Sequence, residues 1–526
     1  MPRRLGVAAA LALALASSTA MAADPMPRIV HQGGHFELQV DGQPYFVLAG
    51  QMHNSSAWPG RMPAVWDALS AIGANTLEAP VYWETMEPTP GKFDFSEVDM
   101  LLDQARAHHV RLVLLWFGTW KNGGMHYAPE WIRRDTVRYP RLLTAEGQQV
   151  DGLSPFGIET LARDKQAFAA LMAHLKQADA LHHTVIMMQV ENESGLFGTV
   201  RDHGAAADAA FAAAVPEAVL HATGRQGGNW RAAFGSDAEE AFSAYAVSHY
   251  VDAIAEAGKA VYPLPLYTNA WMRYRGLTQP GTEYPSGGPS WTMLPIWKQQ
   301  TPALDAIGSD VYTDTFAEFR KGVLPYGRAD NPPWVSESGF TAPTSRWVFD
   351  VLARGGIGCS QFGIDGDADE PGRAAAVQAH GDNNRLLAPV ASTLAAAAYE
   401  GRIAAFVQEP GAMSPQQTLG NWAVTVSFGA VWGHPSPTTA PQSGTPLGRA
   451  LVVRLDPAHF LVLGMGARVE FASTLHDGGV HEMLRAEEGR MTPSGWTTTR
   501  ILNGDETDYG LDLPVHGDML RVEVTP

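Results

Sequence analysis

Short runs of consecutive apolar residues recur along most of this chain, and between them lie stretches whose apolar positions repeat with the spacing of a helix. The runs cover 44–50, 75–81, 111–117, 184–190, 264–269, 306–311, 333–336 and 356–362, with amphipathic stretches such as 65–72, 98–109 and 168–181 interspersed. A strand apolar on both faces is buried on both, as parallel strands are when helices cover the sheet. Eight such runs alternating with helices predict a (β/α)8 TIM barrel over residues 23–385. An open doubly wound sheet is the alternative, but no Gly-x-Gly-x-x-Gly turn follows the first run to cradle a dinucleotide.

Beyond about residue 382 the pattern changes, through an Ala-rich helix at 386–399 into short alternating runs at 450–455, 460–463 and 468–471. This predicts an appended β-rich, sandwich-like domain over 386–526, with a loop at 433–448 rich in Gly, Thr and Pro. At the other end, Arg3 and Arg4 precede an apolar stretch at 5–16, followed by small residues and Ala20-Met21-Ala22. That arrangement predicts a secretory signal peptide over residues 1–22, cleaved after Ala22, and a periplasmic or secreted protein. The stretch is shorter than the roughly 20 apolar residues of a membrane helix, so no membrane span is expected. Cys359 is the only cysteine, which excludes an intrachain disulfide, and the sequence places it as a small buried hydrophobe. The charge balance of 37 basic against 55 acidic residues, net −18, excludes nucleic acid as a partner and leaves a neutral glycan acceptable.

Two of the apolar runs close on carboxylates, in Gln189-Val190-Glu191-Asn192-Glu193 and in Ser336-Glu337-Ser338-Gly339. Ionised acids are kept out of apolar cores unless paired, so Glu193 and Glu337 are expected to open into a site. In a (β/α)8 barrel the strand C-termini carry the active site, and two facing carboxyls there are what glycoside hydrolysis requires. In a retaining mechanism Glu337 attacks the anomeric carbon while Glu193 serves as acid and then as base. Asn192 is placed to donate to the sugar's 2-hydroxyl, and Glu191, two residues before Glu193 on a regular strand, shares its face as support. Trp120 and Trp271, just past strand ends, read equally as sugar platforms and as packing, whereas Trp116 reads as core. Tyr312 is a candidate hydrogen-bond partner of Glu337, and His53 either contacts a sugar hydroxyl or is structural. No cluster of His and Asp follows the first strand, so no metal and no cofactor is predicted.

These motifs resemble the acid/base and nucleophile motifs of glycoside hydrolase family 35, a β-galactosidase family. Trp83, Glu87-Pro88, Pro90-Gly91, Phe93 and Phe95-Ser96 are similar to that family's pattern after the second strand, so the resemblance extends across most of the barrel. It implies a retaining, exo-acting galactosidase with Glu193 as acid/base, Glu337 as nucleophile and Asn192 as sugar contact. Ser194, Ser338 and His53-Asn54-Ser55-Ser56 depart from the family pattern. Gly118-Thr119-Trp120 stands where the family has Ala-Glu-Trp, which removes a carboxylate expected to hold sugar hydroxyls, and Pro80 replaces a tyrosine; Tyr82 and Glu84 are the nearest candidates to compensate. The segment 116–123 resembles a bacterial subgroup with a distinct C-terminal domain, some members of which trim plant-wall galactosides of the xyloglucan type. Two other functions stay open: an endo-β-glycanase or other β-glycosidase on the same barrel, and a non-catalytic glycan-binding protein. The oligomeric state is left open.

Overall fold

The computed structural model describes residues 25–409, 415–428, 447–492 and 494–525. The expected signal peptide and most of the 433–448 loop lie outside the described residues. Eight parallel strands follow the apolar runs: β1 (Val47–Gln51), β2 (Thr76–Tyr82), β3 (Arg111–Lys121), β4 (Val185–Asn192), β5 (Leu266–Trp271), β6 (Ala306–Val311), β7 (Trp334–Val335, resuming at Glu337–Ser338) and β8 (Gly358–Phe362). The two halves of β7 pair with different neighbours. Trp334 and Val335 align with Gly358 and Cys359 of β8, while Glu337 and Ser338 align with Asp310 and Val311 of β6. Segment 334–338 therefore closes the sheet on itself, and the fold is the expected (β/α)8 barrel. Its strands are buried along nearly their whole length because helices such as Met62–Ile72, Ser96–Ala107 and Ile158–Asp179 cover the outside.

The helix expected at 386–399 is two helices, Arg373–Leu387 and Ala391–Tyr399, joined by a short 3-10 turn at Ala388–Val390. Pro389 supplies no backbone donor and interrupts the ladder there. The second helix packs on two of three short antiparallel strands that precede β1, His35–Val40 and Gln43–Tyr45.

The C-terminal region is a sandwich of a six-stranded and a four-stranded antiparallel sheet. Its central strands are apolar on both faces, for a reason visible in β9 (Arg449–Arg454) and β10 (His459–Met465). Ala450, Val452, Phe460 and Val462 face the smaller sheet, while Leu451, Val453, Leu461 and Leu463 join a core with Phe46, Leu48, Phe319, Trp347 and Leu394 of the barrel side. Buried polar bonds cross the same junction, from Arg449 Nη2 to Asn383 Oδ1 (2.6 Å) and from Arg346 Nη1 to the Gln408 carbonyl (2.8 Å). The sandwich thus shares a hydrophobic core with the barrel. Leu461→Ala should cost about 2–5 kcal/mol, against less than about 0.5 kcal/mol for Ile501→Ala at an exposed strand position. Denaturant unfolding measures both, and a loss for Leu461→Ala no larger than for the control would contradict a shared core.

Candidate active site

At the C-terminal strand ends a cavity of about 370 Å³ is lined by Glu193, Asp310 and Glu337, with Lys121, Asn122, Trp271, Tyr274, Tyr312 and Phe362 around them. Carboxyl oxygens of Glu193, Asp310 and Glu337 lie within 4.8 Å of one another. No other group of His, Cys, Asp and Glu side chains among the described residues converges this closely. Three donors hold the Glu337 carboxylate: Gln51 Nε2 at 3.0 Å, Asn269 Nδ2 at 3.4 Å and the Tyr312 hydroxyl at 2.8 Å. Asn269, at the end of β5, ties the site together. Its Oδ1 accepts from the Glu193 backbone N–H at 2.7 Å, and its Nδ2 also donates to Asp310 Oδ2 at 2.8 Å.

Burial and the nearby Glu337 charge push the Glu193 carboxyl up to about 7, although the Lys121 ammonium and a hydrogen bond with Asp310 pull the other way. Asp310 is pushed well above the ordinary carboxylate range by burial and by the charges of Glu337 and Glu193. Glu78, fully buried on β2 inside the barrel, is likewise raised, first by burial and further by Glu337. One side of the cavity therefore holds protons near neutral pH, and the other presents acceptor oxygens fixed by three donors. Proton donation from one face and nucleophilic attack from the other is the chemistry this arrangement suits.

Glu191 does not share the face of Glu193. Glu191 and Glu193 both adopt left-handed backbone conformations, φ 60° and 46°, which breaks the strand alternation between them. Each such conformation costs roughly 1–3 kcal/mol and persists only where the surroundings impose it. Glu191 turns instead to the backbone N–H groups of Thr119 (3.0 Å) and Trp120 (2.6 Å), beside Asp164. Asp164 in turn accepts from Trp116 Nε1 at 2.9 Å and Thr119 Oγ1 at 2.6 Å. Burial raises both acids, and the Asp164 charge raises Glu191 further. Gly118 makes room for this pair, since a Cβ there would lie 2.4 Å from Trp116 Nε1 and 2.6 Å from Glu191 Oε1.

Of the residues singled out in the sequence, Glu193, Glu337, Trp271 and Tyr312 meet in the cavity. Tyr312 is 47% exposed, with its hydroxyl turned inward to Glu337. Asn192 is fully buried and is not among the lining side chains; its amide lies 3.0 Å from Gln189 Nε2 and 3.3 Å from Asn269 Nδ2. Trp120 is not a platform, being fully buried edge-on against Tyr250 at 4.7 Å. Tyr82 is also away from the cavity, accepting from the Ala57 N–H at 3.1 Å and stacked on Tyr127 at 5.3 Å. Glu84 sits 3.5 Å from Arg133 on the flank and compensates for nothing in the cavity. His53 is paired with Asp365 at 2.9 Å, which lifts it above the ordinary histidine range, and lines a separate acidic depression. In each of these cases packing or an ion pair outside the cavity decides the orientation of the side chain.

Sequence reasoning missed the site roles of Asp310, Asn269, Lys121 and Gln51. The first two lie in segments marked only as strand ends, and nothing local signals that they turn inward.

A family model described as β-galactosidase, the glycoside hydrolase family 42 type, matches residues 62–247, and one described as a domain of unknown function matches residues 380–514. A β-galactosidase of Xanthomonas manihotis is 34% identical over 215 residues, 38% of this chain and 31% of the relative. Beta-galactosidase 11 of Arabidopsis thaliana is 31% identical over 103 residues, 18% of this chain and 12% of the relative. This chain is related to β-galactosidases. The matched segment spans less than a third of either relative. The crystal structure of the β-galactosidase from Bacillus circulans sp. alkalophilus superposes with a TM-score of 0.53 over 91% of this chain and 99% of that one, a likeness of fold at 11% identity. The matching family model is thus the family 42 type rather than family 35, and the resemblance read from the motifs holds at the level of β-galactosidase.

Gly118→Ala should destabilise the protein by about 1–3 kcal/mol, because its methyl overlaps the Glu191–Asp164 pair and the Trp116 indole. Thermal unfolding of the variant measures this, and an unchanged melting temperature would contradict the packing described.

Proposed function

We propose that this protein is a retaining, exo-acting β-galactosidase that removes terminal β-galactosyl residues from oligo- or polysaccharides, those of plant cell walls included. The observation that carries the reading is the approach of Glu193 and Glu337 to within 4.8 Å across one cavity. Retaining enzymes hold their carboxyls about 5–5.5 Å apart, whereas inverting ones need roughly 6.5–9.5 Å to admit a water.

In the first step Glu337 Oε attacks the anomeric carbon as the bond to the leaving oxygen breaks, and Glu193 gives that oxygen its proton. A glycosyl ester on Glu337 results. In the second step Glu193, now a carboxylate, takes a proton from water, whose oxygen displaces Glu337 with retention of configuration. The Tyr312 and Gln51 donors orient Glu337 for attack, and Trp271 and Tyr274 offer apolar surface to a sugar face.

Galactose is supported by the names of the relatives, although no carboxylate occupies position 119. The exo mode is supported by a cavity at the small end of the roughly 300–1,000 Å³ range of ligand pockets. Only what β-galactosidases of either family have in common is needed for this reading. Export is proposed on the Arg3-Arg4 and apolar 5–16 pattern alone.

Glu337→Gln should lower kcat by several orders of magnitude on nitrophenyl β-galactoside while substrate binding survives; an unchanged rate would remove Glu337 from the mechanism. Because Glu193 must carry its proton in the first step and its carboxyl is raised to about 7, kcat/KM should fall as pH rises through about 7. A profile flat to pH 9 would contradict the acid role. A panel of nitrophenyl glycosides tests the sugar: faster turnover of the glucoside or arabinoside than of the galactoside would replace galactose in this reading.

A further inference from the structure

The two-carboxylate mechanism leaves Asp310 unused, although it lines the cavity and is only 1% exposed. We propose that Asp310 is a neutral carboxylic acid that donates its O–H to Glu193, so that it positions the acid/base and stabilises it each time Glu193 becomes a carboxylate. This inference rests on the retaining reading above.

Its geometry excludes simpler uses. Asp310 Oδ1 accepts from Ser336 Oγ and Oδ2 from Asn269 Nδ2, both at 2.8 Å, so each oxygen already has a donor. Lys121, the ammonium in the cavity, pulls Glu193 down, and among the described residues no Lys, Arg or His is ion-paired with Asp310. Two carboxyls, those of Glu193 and Glu337, lie within 4.8 Å of it. A buried acid facing two others, with no cation paired to it, keeps its proton. Once neutral it has one donor to place, and Glu193, within hydrogen-bonding reach, is the acceptor at hand.

The other titratable groups facing Asp310 are phenols. Tyr267 on β5 and Tyr312 after β6 are raised well above the ordinary tyrosine range, Tyr274 is pushed up to about 12, and Tyr326 is raised too, in each case chiefly by burial. None of them titrates in the range where the enzyme would work.

Protons balance over the cycle. Glu193 transfers its own proton to the leaving oxygen, and the Asp310 O–H then points at the new carboxylate without leaving Asp310. When Glu193 takes a proton from water in the second step, the starting arrangement returns. A protonated aspartic acid serving as a donor at neutral pH is known to be sustained by an apolar, like-charged setting.

The sign of a pH shift separates this from the alternatives. A neutral donor stabilises ionised Glu193, so removing it raises the pH of the basic limb of kcat/KM; an ionised Asp310 would repel that charge, and removing it would lower the limb. We expect Asp310→Ala to move the limb upward and to lose about 10- to 100-fold in kcat, whereas Asp310→Asn, which keeps a donor and cannot ionise, retains the limb and most of the rate. A limb that moves down in both variants, or stays in place in Asp310→Ala, overturns the proposal.

Infrared spectra at neutral pH give a second reading that needs no turnover. The carbonyl stretch of a protonated carboxyl should be present in the parent and weaker in Asp310→Asn, and its persistence unchanged would overturn the assignment even if Asp310→Ala fails to fold. If the parent hydrolyses no nitrophenyl glycoside, the proposed function fails while the infrared test of Asp310 still stands.

Discussion

Three carboxyl groups within 4.8 Å of one another, in a cavity walled by aromatic rings, cannot all carry charge. At an effective dielectric constant near 20, each pair of unit charges at that separation repels by about 3–4 kcal/mol. Burial adds to the penalty. The site answers it by dividing labour: three donors commit the oxygens of Glu337, and protons occupy the Glu193 and Asp310 side. What makes the cluster costly to fold is also what separates a proton donor from a nucleophile.

The rest of the molecule supports that cluster. Asn269 bonds the backbone of Glu193 and the side chains of Asp310 and Glu337, so the ends of four strands are held by one amide. The left-handed turns at Glu191 and Glu193 are sustained because Glu191 finds two backbone N–H groups, those of Thr119 and Trp120. Barrel closure through the two halves of β7 brings Glu337 into register with Asp310. Behind β7 and β8, the C-terminal sandwich buries one face of the central strands of its larger sheet against the barrel, which accounts for strands apolar on both sides at 449–454 and 459–465. That packing makes the sandwich a support of the barrel.

The barrel was legible because its strands are buried on both faces and so write continuous apolar runs; all eight runs fall on observed strands. Glu193 and Glu337 were legible because a carboxylate closing such a run is too costly to bury unless a cavity receives it. Trp120, Tyr82, Glu84 and His53 were misplaced because position just past a strand end does not say which way a side chain turns. Trp120 turns into the packing against Tyr250, and Glu84 and His53 are drawn to Arg133 and Asp365. Asp310 and Asn269 were marked only as lying at strand ends, since their roles arise from neighbours far away in the chain. The helix expected over 386–399 missed the break at Pro389.

Periodicity and the placing of acids at the ends of apolar runs are local properties, so the sequence by itself determined the fold class, the alternation of its elements and the two carboxylates that close strands β4 and β7. Only the tertiary structure decided which groups hold protons. That depends on distances between side chains on different strands and on how much water reaches them, and neither quantity exists until the barrel has closed.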